Sequence, residues 1–441
     1  MAKILFYFSL LLSAGAIFAA PWLTAVSYSA ISLLQPQYVW FWVIGDFPAF
    51  KVFAGFAIFG LAVATAKGLA DYSVYKTKQS VAILLLWIGV NLSEALSPFP
   101  VYYAAIRGDI VLAAFNSIII MYFVILPLVY SKRALMGLTY VMVAVSLYYA
   151  YWANSAYFNG EWHKFVNGRL EGPVGSPYRD GNTFSVLLVM AIPFLAFYFF
   201  TAKKWFVKRG ALAALPFIWH ALFLFSSRGA LLSSLIVLAG VAIFVKSKKF
   251  NIMIALGFVV FLAWQGSTTL NRSTSTVASA QSSTSEPVNP RLVSWEIGLK
   301  LIPEYPLFGV GPQRFQMASS IHFPGESPHV AHNTFLQFAT NSGLMCGLIF
   351  LYLNITIIMQ LRKINREQLN IRDPIDYCLA SSSLSILGFF ICSIFLDLII
   401  YEPFYFCLIV NLTARHLRAK QNNNTNQRDN FDSLYPAQAR D

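Results

Sequence analysis

Three arginines and one histidine lie where the chain leaves its apolar segments, and their chemistry is that of anion binding and proton transfer. Arg179 precedes the apolar segment 183–200, Arg228 lies between two apolar segments, and Arg291 and His332 lie in the longest polar stretch. Guanidinium groups bind phosphate oxygens through paired hydrogen bonds, and a neutral imidazole accepts a proton near neutral pH. Together these groups predict a site for an anionic lipid headgroup, and a diphosphate suits them.

Each of these residues also has a structural explanation. Arg228 has no acidic neighbour in the sequence, so it either snorkels to the membrane surface or binds an anionic ligand. Arg179 can pair with Asp180, and Arg291 can pair with Glu296. A histidine at a water–lipid boundary often serves only as a hydrogen-bonding residue. The residue types alone therefore leave a binding site and a set of structural cations as alternatives.

Other residues near these positions are candidates for accessory roles. Phosphate or sugar contacts are expected from Arg179, Arg314 and Asn333, and stacking on a sugar ring from Trp295, although interfacial aromatic residues need no ligand. His322 and His329 lie in the same loop as His332 and are rival bases. Arg107 and Arg169 could equally be solvated loop charges. The sequence contains no HExxH, no paired carboxylates and no glycine-rich loop followed by lysine, so it shows no residues for metal-dependent or nucleotide-hydrolysing chemistry.

The elements that position these residues must be membrane helices. Of the 441 residues, 57% are hydrophobic and 12% are charged, whereas an ordinary globular domain has about a quarter of its residues charged. Apolar runs repeat at a length that crosses the hydrocarbon core, where only helices satisfy their own backbone polar groups. A soluble fold is excluded, and the predicted class is an all-α, polytopic integral membrane protein. The net charge of +13 does not indicate nucleic acid, because the lysines and arginines cluster in short loops.

The apolar segments predict about 12–13 transmembrane helices. The candidate spans are 4–19, 21–35, 50–66, 81–96, 109–130, 134–152, 183–200, 211–226, 229–246, 250–266, 334–360, 377–396 and 402–414. Every second connection is rich in lysine and arginine, which makes those connections cytoplasmic. The opposite connections are then periplasmic: 36–49, 97–108, 153–182, 227–228, 267–333 and 397–401.

The amino-terminal topology does not follow from this pattern. Residues 1–20 have the layout of a signal peptide, but Pro21 and further apolar sequence follow, so an uncleaved first helix is favoured. Two full spans before residue 36 would place the amino terminus outside, and signal cleavage, a short hairpin or a miscounted helix would each change that result.

All four cysteines lie in apolar segments, which indicates no disulfide framework: Cys346, Cys378, Cys392 and Cys407.

Four regions follow from these assignments. We expect an amino-terminal transmembrane bundle at 1–266, a large periplasmic loop at 267–333, carboxy-terminal transmembrane helices at 334–418 and a disordered cytoplasmic tail at 419–441. The loop begins with a Ser/Thr-rich linker. It continues with an amphipathic helix predicted to lie at the membrane surface, with its apolar residues at helical spacing: Leu292, Trp295, Leu299 and Ile302.

Three stretches resemble the O-antigen ligase and polymerase superfamily of membrane glycosyltransferases. They are Ser227–Leu232 opening a helix, Arg291 followed by Trp295 and Pro306–Gly311, and His332-Asn333 followed by Gly343. The resemblance covers roughly 227–350, and the layout of many spans with one large loop extends it over most of the chain. The amino-terminal half, with Gly168–Pro173 and Asp180–Asn182, looks like the branch described as exosortase-associated putative O-glycosylation ligases. Two positions depart from the ligase pattern, Trp295 and Cys346.

The resemblance implies a GT-C-like fold and transfer of a glycan from an undecaprenyl diphosphate carrier to an acceptor hydroxyl. The acceptor would be lipid A-core or another hydroxyl at the periplasmic face of the bacterial inner membrane. No metal or other cofactor is implied, and the partners are the carrier-linked donor, the acceptor and the lipid bilayer, without nucleic acid. In this scheme His332 is the general base, Arg228 and Arg291 bind the diphosphate, and the anomeric configuration is inverted.

Other functions stay open at this stage. A polysaccharide polymerase and a protein O-oligosaccharyltransferase of the same superfamily differ from a ligase only in the acceptor. A transporter of lipid-linked glycan belongs to another class and predicts ionisable residues within the spans together with internal repeats. The sequence shows the charges at the ends of the spans, which disfavours transport.

Overall fold

The structure is a computed structural model, and it describes residues 2–100, 108–257, 259, 263, 290–325, 330–366 and 369–434. The described residues are almost entirely helical. The helices are α1 (Ala2–Ala19), α2 (Trp22–Leu34), α3 (Pro36–Val39), α4 (Phe41–Ile44), α5 (Ala49–Ala66), α6 (Lys78–Ala95), α7 (Gly108–Ile125), α8 (Lys132–Phe158), α9 (Gly181–Thr201), α10 (Trp205–Phe225), α11 (Arg228–Val245), α12 (residues 248–257), α13 (Pro290–Glu304), α14 (Phe315–His322), α15 (Thr334–Ser342), α16 (Leu344–Arg366), α17 (Pro374–Ser393) and α18 (Glu402–Leu434). Short 3₁₀ turns occur at Tyr72–Lys76, Leu126–Leu128 and Trp162–Lys164, and the strands are β1 (Phe165–Val166) and β2 (Arg169–Leu170).

The expected all-α, polytopic membrane class is confirmed. Within the described ranges, eight helices are long and apolar enough to cross a membrane: α5, α7, α8, α9, α10, α11, α16 and α17. Each other predicted span also contains a helix, although 258–266, the end of the span 250–266, lies almost wholly outside the described residues. Helices α9 and α17 form the centre of the bundle, because 78% of the apolar window of each is buried, against 28% for α5.

The connections expected on one face of the membrane lie together at one end of the bundle. Tyr149 near the end of α8 donates its hydroxyl to Leu34 O at 2.6 Å, and Ser97 after α6 donates to Val310 O at 2.6 Å. The basic connections lie at the opposite end, where Lys132 pairs with Asp373 at 3.0 Å. The alternation of basic and non-basic connections therefore corresponds to the two ends of the bundle.

The first two helices both run between these ends. Phe6 in α1 packs edge-on against Phe47, with ring centroids 5.6 Å apart, and Phe47 belongs to a connection of the non-basic end. At the other end of α1, Lys67 Nζ donates to Phe18 O at 2.5 Å. Since α2 then returns to the non-basic end at Leu34, α1 starts at that end as well.

The predicted span 334–360 is wrong as a single helix, because Gly343 divides it into α15 and α16. Gly343 has φ of +90°, a backbone angle that residues with a side chain rarely adopt. A Cβ at this position would lie 2.1 Å from Leu307 O. Helix α15 has 9 residues and is about 14 Å long, too short to cross a membrane. The break exists because the backbone of the preceding glycine turn occupies the space beside residue 343.

Helix α13 of the loop has one buried face and one exposed face. It buries Ser294, Ile297 and Leu301 against α14 and α15, whereas Leu292 and Leu299 of the expected apolar stripe are exposed. The placement of this stripe at the membrane surface stays a prediction, and the other face of α13 packs on a separate small core within the loop. That core contains Ile297, Leu301, Val310, Phe315, Ala318, Ala331 and Leu336.

The boundary expected at residue 419 does not coincide with a helix end, since α18 continues to Leu434. Contacts with the basic end of the bundle accompany this continuation: Arg418 pairs with Asp376 at 3.2 Å, and Lys420 and His416 both contact Asp71. The described residues do not include residues 435–441 of the tail, the 267–289 linker, His329 or Arg107.

Replacing Gly343 with alanine should strongly destabilise the protein. The new Cβ would meet the Leu307 carbonyl in a backbone conformation unfavourable for alanine, so we expect a loss of about 2–5 kcal/mol of folding free energy. Thermal unfolding of the purified protein in detergent measures the loss. Gly15→Ala is the matched control, because a Cβ at Gly15 in α1 meets nothing within 4 Å. Equal unfolding temperatures for the two variants would contradict this account of the helix break.

Candidate functional site

The loop between α17 and α18 contacts the segments that carry Arg228, Arg291 and His332. Phe395 in this loop lies against Gly229, where an added Cβ would be 3.4 Å from its ring. The same ring is tilted against Trp295, with centroids 6.5 Å apart. The next residue, Leu396, accepts a hydrogen bond from Thr334 Oγ1 at 2.7 Å. The three predicted segments therefore meet around Phe395 and Leu396.

Arg228 opens α11 after a tight turn. Ser226 ends α10 in the left-handed conformation, with φ of 52°, and Ser227 is the N-cap residue of α11. Arg228 is exposed at this helix start. Because the first turn of a helix presents unsatisfied backbone N–H groups and a positive dipole end, the guanidinium and the helix both favour an anion here.

Arg291 lies at the start of α13, partly buried within a group of charges. Burial lowers the pKa of its guanidinium, the charges of Arg228 and Arg169 lower that pKa further, and the carboxylate of Asp180 raises it. An arginine stays protonated despite such shifts. The structure thus brings Arg228 and Arg291 together, and their mutual repulsion favours binding of an anion between them.

Arg169 is a site residue that the sequence reasoning did not select. It lies on β2, which pairs with β1 in a short antiparallel hairpin. The turn between the two strands, Asn167-Gly168, has positive φ at both residues. The guanidinium is fixed by two acceptors: Nε donates to Phe225 O at 3.1 Å and Nη2 donates to Asn182 Oδ1 at 2.7 Å. Asn-Gly between short apolar strands is a strong hairpin signal, so the sequence did contain the information needed to position Arg169.

His332 lies directly before α15 in a constrained backbone. It has φ of 48°, an uncommon left-handed value for a residue other than glycine, and it is partly buried. Its neighbours are fixed on both sides: Ala331 is fully buried in the loop core, and Asn333 caps α15 by accepting from Leu336 N at 3.1 Å. Strained backbone held by surrounding structure is frequent at functional sites.

The glycine turn Pro306–Pro312 fixes the loop to the end of α15. Val310 N donates to Thr340 O and Gly311 N donates to Asn341 O, each at 2.8 Å. Gly309 and Gly311 both have positive φ, and a Cβ at Gly309 would lie 2.5 Å from the Asn341 backbone. The glycines thus allow two backbone segments to touch.

Two of the predicted accessory arginines lie in ion pairs. Arg314 is 3% exposed and forms a two-pronged pair with Glu94, with Nη2–Oε1 at 2.8 Å, and its Nε donates to Pro100 O. Arg179 is exposed, with its Nε 3.8 Å from Glu171 Oε2. The guanidinium of Arg314 is thus used to join the loop to the end of α6, and Arg179 is directed towards Glu171.

Asp397 is a second residue that the sequence reasoning did not select. It follows Leu396 in the loop that contacts Thr334, it interacts with the Gln313 side chain, and burial raises the pKa of its carboxyl to about 6. Leu398 N donates to Thr334 Oγ1 at 3.1 Å. The carboxyl thus lies beside the segment that carries His332, in the loop shared by all three site segments.

The rival base His322 is exposed, and its Nε2 lies 3.0 Å from the Tyr305 hydroxyl. Trp295 is partly buried between Phe395 and the loop core. Asn333 uses its side-chain oxygen as the cap of α15. The structure therefore gives Trp295 and Asn333 positioning contacts next to the arginines and the histidine.

A polytopic helical bundle with an arginine-rich site at one end is the class of protein that these observations define. Residues 212–351 match the family model described as O-Antigen ligase, and this range contains Arg228, Arg291 and His332. This match confirms the resemblance to the O-antigen ligase superfamily over these residues. The exosortase-associated branch is not confirmed by this match. A comparison with curated proteins gives no match.

The ion pair of Arg314 predicts a structural effect on mutation. Arg314→Ala would leave the Glu94 carboxylate without its partner, and we expect a loss of about 3–5 kcal/mol of folding free energy. The double variant Glu94→Leu/Arg314→Leu should recover part of the stability, because it leaves no lone charge. Unfolding temperatures in detergent test both statements. An Arg314→Ala protein of normal stability that has lost binding of diphosphate would show that Arg314 is a ligand.

Proposed function

We propose that this protein is an inverting glycosyltransferase that moves a glycan from an undecaprenyl diphosphate carrier to an acceptor hydroxyl. The observation that carries the proposal is the convergence of the Arg228, Arg291 and His332 segments on Phe395 and Leu396. The match to the O-antigen ligase family over the same residues supports a reaction of this class.

The arginines supply the electrostatic part of the mechanism. Arg228 and Arg291 bind the diphosphate, and Arg169, fixed by Phe225 O and Asn182, adds a third positive charge. As the bond between the anomeric carbon and the phosphate oxygen breaks, negative charge develops on the leaving diphosphate. Preorganised guanidinium groups stabilise this charge without further rearrangement, as donors aimed at a developing anion do in other enzymes.

His332 supplies the proton transfer. Its imidazole accepts the proton of the acceptor hydroxyl as that oxygen attacks the anomeric carbon from the face opposite the diphosphate, which inverts the configuration. The imidazole must be neutral to accept this proton. Asn333 and the buried Ala331 hold the histidine in place from both sides. We propose that the chemistry needs the residues of this site and no metal ion.

We place the site at the periplasmic face of the bacterial inner membrane. The end of the bundle that carries Arg228 has few basic connections, whereas the opposite end carries clusters such as Lys246, Lys248 and Lys249. Basic connections stay in the cytoplasm, which orients the bundle. The acceptor is then lipid A-core or another hydroxyl exposed to the periplasm, and the donor reaches the site from the lipid bilayer.

A polymerase or a protein O-oligosaccharyltransferase would use the same site with another acceptor. Lipid-linked glycan in a deletion strain separates these functions: full-length chains retained on the carrier indicate a ligase, and unpolymerised single repeats indicate a polymerase. A transporter of lipid-linked glycan would release no free carrier diphosphate in the presence of acceptor.

Removing the proposed base, or a residue that binds the diphosphate, should strongly reduce glycan transfer while the protein still folds. We expect His332→Ala to lower kcat by about 10²–10⁴-fold, and Arg291→Ala to lower kcat/KM by about 10²–10³-fold. The assay uses the purified full chain with carrier-linked donor and follows glycan on the acceptor. His322→Ala is the matched control, since this exposed histidine contacts Tyr305, and it should keep normal activity. Full activity of both site variants would refute the mechanism.

The orientation can be tested independently by cysteine labelling. All four native cysteines are buried, so a cysteine introduced at residue 228 or 169 should label over a low background. A membrane-impermeant maleimide applied to intact spheroplasts should modify both positions, and a cysteine at residue 248 should react only after the membrane is opened. Protection of residue 228 in intact spheroplasts would place the site on the other side.

A further inference from the structure

A small polar cavity lies among α2, α7 and α18, apart from the arginine site. It has a volume of about 30 Å³, whereas one buried water needs roughly 10–15 Å³. Its polar lining comes from Tyr28, Ser29, Ser32, Tyr122 and Glu402, and the rest of the wall is apolar. The cavity therefore has room for a small ion with one water molecule.

The Glu402 carboxyl is the charged group of this cavity. It is the first residue of α18, where the positive end of the helix dipole favours a carboxylate. Gln35 Nε2 donates to its Oε2 at 3.1 Å, and the Ser32 side chain also forms a hydrogen bond with the carboxyl. These donors offset only part of the cost of burying a charged carboxylate, since burial is the larger effect on this group.

A carboxylate in this position has no cationic side chain beside it among the described residues of the cavity wall. Among the described residues that line the cavity, none is a lysine, an arginine or a histidine. Burying a charge away from water is costly unless an opposite charge compensates it. The ionised carboxyl therefore requires a positive partner that the lining side chains do not supply.

Two hydroxyl groups in the wall complete the set of oxygen ligands. Tyr28 is 3% exposed and its hydroxyl interacts with the Ser32 side chain, whereas Ser29 is 2% exposed and its hydroxyl has no hydrogen-bond partner within the described part of the chain. Ser27, on the same helix, differs because its Oγ donates to Leu23 O at 2.7 Å. Buried hydroxyl groups are almost always satisfied, so that of Ser29 indicates a polar occupant.

We propose that the carboxylate of Glu402 and the hydroxyl oxygens of Tyr28 and Ser29 bind one small monovalent cation, with Na⁺ as the probe. Carboxylate and hydroxyl oxygens are the ligands that hard cations prefer. One carboxylate balances one positive charge, which selects a monovalent ion. The ion joins α2 to the start of α18, which directly follows the loop containing Phe395 and Leu396.

Binding of radioactive Na⁺ to the purified full chain tests this site. The assay is run in detergent at constant ionic strength, with choline replacing sodium, because choline is too large for the cavity. The wild-type protein should show saturable binding, and Glu402→Gln should weaken it by about tenfold or more. Ser29→Ala should also weaken binding, whereas the matched control Ser27→Ala should bind like the wild type.

Three results of the binding assay would overturn the proposal: no saturable binding by the wild-type protein, equal binding by Glu402→Gln, or equal effects of Ser29→Ala and Ser27→Ala. If Glu402→Gln does not fold, the serine pair and the wild-type titration decide. The unfolding temperature gives a second readout, because an ion that binds only the folded state raises it with concentration. An unfolding temperature that depends on pH but not on Na⁺ would identify a proton on Glu402 and refute the cation.

Discussion

The site depends on the loop between α17 and α18. In this loop Phe395 packs against Gly229 and Trp295, and the following residues form hydrogen bonds with Thr334. Without it, the starts of α11, α13 and α15 would have no common neighbour. An added Cβ at position 229 would be 3.4 Å from the ring, which is ordinary van der Waals contact, so the start of α11 packs closely against Phe395. One loop between two late helices thus positions segments that are up to about a hundred residues apart in the sequence.

This packing has an electrostatic consequence. Arg228 and Arg169 act on Arg291 as like charges, and only Asp180 opposes them among the groups that affect Arg291 most. The fold holds Arg169 through the carbonyl at the end of α10 and through Asn182 at the start of α9. Repulsion among guanidinium groups and their partial desolvation raise the free energy of the ligand-free site. We therefore propose that a ligand with two or more negative charges, such as a diphosphate, is preferred over a neutral sugar.

Much of this could be predicted from the sequence, because hydropathy and charge are properties of single segments. The helices and the two groups of connections follow from local patterns. The break at Gly343 could not be predicted, since it depends on the Leu307 carbonyl approaching from another segment. The same holds for Arg314, whose partner Glu94 is 220 residues away, and for α13, whose buried face is chosen by the loop core. Arg169 is intermediate: the Asn167-Gly168 turn beside it is a local hairpin signal, but the contacts that hold its guanidinium come from Phe225 and Asn182 in other segments.

The central claim is that Arg228 and Arg291 bind the diphosphate of a lipid carrier. The most direct measurement is the affinity of the purified full chain for undecaprenyl diphosphate, compared with undecaprenol, for the wild-type protein and for Arg228→Gln, Arg291→Gln and Arg179→Gln. The account predicts that the wild-type protein prefers the diphosphate, that the first two variants lose this preference, and that Arg179→Gln, with its arginine directed towards Glu171, retains it. Equal affinity of the wild-type protein for both lipids, or an unchanged preference in the first two variants, would contradict it.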